Sequence, residues 1–153
     1  TQMCATYLDN LLLEMDSPSV LDVGCGSGIL SMLAVKLGAC DVVGIDTDAT
    51  AIDIARENAR QNGVEGQIEF TDERLASITR NFDIVVANIL SSILLELRDD
   101  LVEHLTERGD LILSGIDTAS EDKLLSFFSN VSLQRMDRRQ RSKWIALHFQ
   151  TSS

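Results

Sequence analysis

One stretch constrains this chain more than any other: Leu21-Asp22-Val23-Gly24-Cys25-Gly26-Ser27-Gly28. An apolar run from Ser19 to Val23 leads into it, and a helical pattern from about Ser27 to Leu37, closed by Gly38, leads out. Glycines at alternate positions let the main chain turn sharply and approach a ligand that a Cβ would hold away. Strand, glycine turn and helix together predict the opening of a parallel βαβ unit, whose sheet is buried only if helices cover both faces. A dinucleotide turn needs G-x-G-x-x-G, and Ile29 stands where the third glycine would be. The spacing is G-x-G-x-G instead. A turn that serves the chain alone, with no ligand, is the competing reading.

The remainder keeps the same rhythm. Leu8, Leu11, Leu12 and Met15 form one helical stripe before Pro18. Asp41 to Asp46 reads as a second strand, and Asp48 as the N-cap of a helix facing inward through Ile52, Ala55 and Ala59 and ending at Asn62-Gly63. Gln67 to Thr71 is a third strand and Phe82 to Asn88 a fourth; Leu94, Leu97, Leu101 and Leu105 follow at helical spacing. Arg108-Gly109-Asp110 is expected to turn the chain into a fifth strand, Leu111 to Ile116, and Thr118 with Glu121 to form a capping box for a helix through Leu124, Leu125 and Phe128. Val131 to Asp137 and Lys143 to Phe149 lack a helix between them, so they read as an antiparallel hairpin closing the sheet. The expectation is one α/β domain over residues 1–153.

Composition narrows the function. A net charge of −11 repels nucleic-acid phosphates over most of the surface, so direct DNA binding is not expected and a basic partner suits the chain better. Acidity serving only solubility is the alternative. Arg135, Arg138, Arg139, Arg141 and Lys143 are a local exception, read as a charged strand edge that discourages edge-to-edge pairing. Apolar runs break well before the roughly 20 residues a membrane helix needs, so a cytoplasmic chain without membrane contact is expected. Cys4, Cys25 and Cys40 lack knuckle spacing, and His104 and His148 lie far apart; reduced thiols and no metal site follow.

Three polar positions fall at strand ends. Asp46 lies twenty positions after Gly26, where a carboxylate can accept ribose hydroxyls. Asp72, with Glu73 beside it, follows the third strand and can accept from an adenine amino group, or is an ordinary loop carboxylate. Asn88 ends the fourth strand at the crevice; its amide oxygen can accept from a substrate amine, or its side chain can cap the next helix.

With Asp22 ahead of it, the G-x-G-x-G turn looks like the first motif of class I S-adenosylmethionine methyltransferases. The stretch from Leu21 to Val64, followed by Asp83-Ile84-Val85-Val86-Ala87-Asn88-Ile89-Leu90 and Leu111-Ile112-Leu113-Ser114-Gly115-Ile116, resembles the PrmA family, bacterial methyltransferases of a large-subunit ribosomal protein. The resemblance runs from about Thr1 to Trp144, and its most particular part is the pairing of ANIL with LSGI. It implies a Rossmann-like, mostly parallel seven-stranded sheet of order 3-2-1-4-5-7-6 with helices on both faces. It also implies S-adenosylmethionine as cofactor, released as S-adenosylhomocysteine, held by Thr1, Asp22, Gly24, Cys25, Gly26, Gly28, Asp46, Asp72 and Asn88, with Asn88 the catalytic residue. The implied reaction is N-methylation of a protein amine, with a basic ribosomal protein as partner. A small-molecule N- or O-methyltransferase and a non-catalytic cofactor-binding module are the alternatives. Family members also carry an N-terminal recognition domain, so the chain reads either as a catalytic domain taken from a longer protein or as a stand-alone relative.

Overall fold

A computed structural model describes residues 1–152. Helix α1 (Gln2–Glu14) precedes strand β1 (Ser19–Val23), helix α2 (Ile29–Lys36), strand β2 (Asp41–Ile45), helix α3 (Ala49–Gln61) and strand β3 (Ile68–Thr71). After a short 3-10 turn (Leu75–Ser77) come strand β4 (Phe82–Asn88), helix α4 (Ser91–Glu103), strand β5 (Leu105–Asp117), helix α5 (Glu121–Phe128) and the strands β6 (Leu133–Arg141) and β7 (Trp144–Thr151). The strands form one seven-stranded sheet in the order β3-β2-β1-β4-β5-β7-β6, as the resemblance implies. β1 to β5 pair in parallel, and β7 runs antiparallel between β5 and β6.

The strands are near-continuous apolar runs because both faces of the sheet are covered. Side chains alternate across a strand. Val20, Val42, Ile84, Ile112 and Ala146 therefore pack with Cys4, Leu8 and Leu12 of α1 and Leu30 and Ala34 of α2. Their neighbours Leu21, Val43, Val85, Leu113 and Leu147 pack on the opposite face with Leu94 and Leu101 of α4 and Leu124 and Phe128 of α5. Within α3, Ile52, Ala55 and Ala59 close a smaller cluster against Cys25 and Phe70. The carboxyl ends of the parallel strands are left as the crevice where an open α/β sheet holds ligands.

Boundaries depart from the sequence pattern in three places. Leu105 belongs to β5, not to the stripe of α4, because the helix stops at Glu103 and the backbone then pairs Leu105 with Phe82. His104 secures that stop by placing its ring nitrogens against the carbonyls of Asp100 (2.6 Å) and Ile78 (2.8 Å). Arg108-Gly109-Asp110 is no turn between elements: it lies inside β5, where the pairing jumps from Phe82↔Leu105 to Ile84↔Asp110 and Arg108 takes φ 62°. This is a bulge, which spends extra residues on one strand of a pair. Lastly, Thr118 and Glu121 form no capping box. Ser120 is the N-cap of α5, its N–H donates to Asp117 Oδ1 (2.8 Å), and the Glu121 carboxylate is taken by Arg138 of β6.

Candidate active site

The glycine turn is built by hydrogen bonds to the end of β2. Gly24 and Cys25 both donate their N–H to the carbonyl of Ile45, at 2.8 and 2.9 Å. Gly26 donates to Asp46 Oδ2 (3.0 Å), and Asp48 donates its N–H to Asp46 Oδ1 (3.0 Å). Each oxygen of Asp46 thus holds one backbone donor and keeps further lone-pair capacity for a ligand. Asp48 accepts from Thr50 N (2.9 Å) and is the helix cap that its position suggests. Gly28, φ 83°, is the N-cap of α2, so the helix starts at Ile29 rather than Ser27.

Gly24 must be glycine for a reason of contact. Its φ is 70°, and a Cβ there would collide with Cγ2 of Ile89, the residue after Asn88. Gly115 of β5 faces the same residue from the other side: at φ 85° its Cβ would overlap the Ile89 carbonyl. Two glycines therefore clamp the segment after β4, which accounts physically for finding ANIL and LSGI in one chain.

On either side of that segment lies a cavity. One, about 560 Å³, is lined by Gly24, Asp46, Thr47, Glu73 and Ile89, with an apolar wall of Leu75, Ala76, Ile93 and Leu97. The other, about 550 Å³, is lined by Thr1, Gln2, Met3, Asn88, Ser114, Gly115, Arg141, Ser142 and Trp144. The expected site residues divide between them, Gly24 and Asp46 in the first, Thr1 and Asn88 in the second.

Asn88 is half-buried at the end of β4, opposite Ser114. Its Nδ2 donates to Thr1 Oγ1 at 3.0 Å, a contact between residues 87 positions apart. That bond fixes the amide plane, and no donor among the described residues takes up Oδ1. The capping alternative for Asn88 is not realised, since α4 has Leu90 at its N-cap and no side-chain cap.

Other expected residues are placed differently. Asp22 is buried beneath the turn, where Ser31 Oγ of α2 donates to its Oδ2 (2.7 Å), so its role is to brace the turn from below. Burial raises the Asp22 carboxyl to about 6, against the bond from Ser31 that opposes the shift. Cys25 is also buried, and desolvation first, then the charges of Asp22 and Asp46, push its thiol up to about 12, which removes it as a nucleophile. Asp72 is exposed and lines neither cavity, whereas its neighbour Glu73 lines the first. The cysteines are free, and among the described residues no cluster of His, Cys, Asp and Glu is placed to hold a metal ion. No helix is long and apolar enough to cross a membrane.

Sequence reasoning missed Ile89, Ser114, Arg141 and Trp144 as cavity walls. Gly115 was in view within LSGI, and a glycine inside an apolar strand does signal a close backbone approach. For Arg141 and Trp144 no local signal exists, because their position depends on where the closing hairpin folds back.

A sequence model of the ribosomal protein L11 methyltransferase (PrmA) family matches residues 1–152. The ribosomal protein L11 methyltransferase of Syntrophotalea carbinolica is 42% identical over 96% of this chain and 48% of its own length, and that of Thermotoga maritima 40% identical over 96% and 54%. The chain spans about half the length of the curated relatives it matches. Among solved structures, a ribosomal protein L11 methylase from Lactobacillus delbrueckii subsp. bulgaricus superposes with a TM-score of 0.93 at 35% identity, covering 100% of this chain and 79% of its own. An RNA methyltransferase from Salinibacter ruber in complex with S-adenosyl-L-homocysteine reaches 0.77 at 18% identity, covering 100% and 93%, a likeness of fold alone.

Proposed function

Since this chain belongs to the ribosomal protein L11 methyltransferase (PrmA) family, we propose that it is the methyl-transferring unit of a protein N-methyltransferase that uses S-adenosylmethionine. The first cavity fits that cofactor. Gly24 leaves room that a Cβ would fill, Asp46 has acceptor capacity for ribose hydroxyls, and Leu75, Ala76, Ile93 and Leu97 offer an apolar wall to a planar base. Glu73 is better placed than Asp72 to meet the adenine amino group, because it lines the cavity. When bound, S-adenosylmethionine supplies an electrophilic methyl carried on a sulfonium.

The chain's own part is positioning. Asn88, held by Thr1 through Nδ2, offers Oδ1 to an N–H of the acceptor amine and so aims the nitrogen lone pair. The N–C bond forms as the S–C bond breaks, the electron pair stays on sulfur, and the extra proton on nitrogen leaves to water. A lysine ammonium has no lone pair and must lose a proton first. The acceptor class follows from the relatives' name and from the net charge of −11: a basic ribosomal protein, in a cytoplasmic setting that suits three free thiols.

The Asn88–Thr1 bond is the observation that carries this reading. Asn88→Ala is expected to leave S-adenosylmethionine affinity within about threefold by calorimetry while lowering labelled-methyl transfer to a basic ribosomal protein by about 100-fold, since the lost contact acts on the reacting geometry. Wild-type turnover in the folded variant would remove Asn88 from the reaction. Transfer by the wild-type chain to small amines but not to proteins would replace the protein substrate with a metabolite.

A further inference from the structure

The acceptor cavity holds no general base, yet its substrate must arrive deprotonated. The elements around it show what stands in that place. From α1 come Thr1, Gln2 and Met3, from β4 Asn88, and from β5 Ser114 and Gly115, none with a charged side chain. The closing hairpin contributes Arg141, Ser142 and Trp144, so Arg141 is the one charged side chain in the lining. Neighbouring charges do not cancel it. Asp137 and Glu121 are engaged by Arg139 and Arg138, and Arg141 itself makes no ion pair among the described residues. Lys143 adds a second cation behind the wall, with Nζ 5.2 Å from the centre of the Trp144 ring. Asp117, the register partner of Trp144, lies outside the lining and accepts from Ser120 N.

A positive charge beside an amine disfavours its ammonium form. We propose that Arg141 supplies the reactive acceptor electrostatically: its fixed charge, backed by Lys143, holds the incoming amine neutral and so does the work of the missing base. The ammonium's proton goes to water on entry, and the lone pair left behind is the one Asn88 orients. The inference rests on the methyltransferase reading for its consequence, but not for the field itself.

Two measurements test it. The cavity's volume of about 550 Å³ implies a width of about 8 Å, and one charge at that distance with an effective dielectric of ~20 moves a neighbouring titration by about one pH unit. With a lysine peptide as acceptor and saturating S-adenosylmethionine, Arg141→Gln is expected to shift the acid limb of log(kcat/KM) upward by about one pH unit, and Arg141→Lys to leave it in place. The second readout needs no turnover. In a Cys40→Ser background, a reporter thiol introduced as Gln2→Cys in the cavity wall is expected to titrate about one pH unit higher when Arg141→Gln is added, and salt should shrink the difference. An unmoved thiol titration overturns the proposal, as does an unmoved acid limb with a KM rise confined to peptides carrying a carboxylate, which would make Arg141 an anion anchor. Absent methyl transfer with a shifted thiol would instead defeat the methyltransferase reading and leave the field of Arg141 established.

Discussion

Asp22 and Asp46 stand on neighbouring strands and have opposite environments. Asp46 keeps access to the cavity while holding Gly26 and Asp48, so one carboxylate both shapes the turn and remains open to a ligand. Asp22 is sealed under the turn with Ser31 as its hydrogen-bond partner, and burial lifts its pKa from 3.8 to about 6. A carboxyl that holds its proton more tightly when folded makes stability fall as pH rises between the two values. The cost is absent below about pH 4, grows through the window up to about pH 6, and stays constant above it, with a size on the order of 3 kcal/mol. Asp22→Asn is therefore expected to flatten the pH dependence of denaturant midpoints between about pH 4 and 6. An unchanged slope would show that Asp22 does not carry the shift. Both acids were legible as part of a motif; which of them faces a ligand was not, because burial depends on the helix that packs behind the turn.

At the level of elements, the site is assembled by the approach of β5 to the segment after β4. Gly115 permits it, with φ 85° and the Ile89 carbonyl where a Cβ would sit. Gly115→Ala combines a left-handed strain of roughly 1–2 kcal/mol with a collision against backbone, and is expected to destabilise by about 3 kcal/mol or more. Gly66 is the control: its φ is 81° but nothing lies within 4 Å of its Cβ position, so Gly66→Ala should cost only about 1 kcal/mol. Equal losses in urea unfolding would mean that the close approach contributes nothing. The same region explains why the α4 stripe overran. Leucine spacing continues through Leu105 as if the helix went on, while His104 and the pairing with Phe82 end it earlier. Periodicity reads apolar faces, and Leu105 is buried in either element.

Across the whole molecule, charge and topology matter more than any single contact. With a net charge of −11 spread over the chain and basic residues gathered on β6, long-range attraction favours encounter with a basic protein. The association rate constant with a basic ribosomal protein is expected to fall by about tenfold or more between low and physiological salt, read by stopped-flow fluorescence from Trp144. A rate insensitive to salt would exclude electrostatic steering. The sequence by itself determined the α/β class, the strand-by-strand rhythm and the glycine turn, because alternation, helical spacing and turn chemistry are local properties that survive in one dimension. The strand order came with the resemblance rather than from local pattern. Only the tertiary structure decided that Asn88 is fixed by Thr1 instead of capping α4, that Glu73 and not Asp72 faces the cavity, and that Arg141 and Trp144 wall the acceptor side. Each of those outcomes depends on where distant elements end and how the sheet closes, and a side chain's neighbours across the sheet are set by packing of the whole core rather than by the residues beside it in the chain.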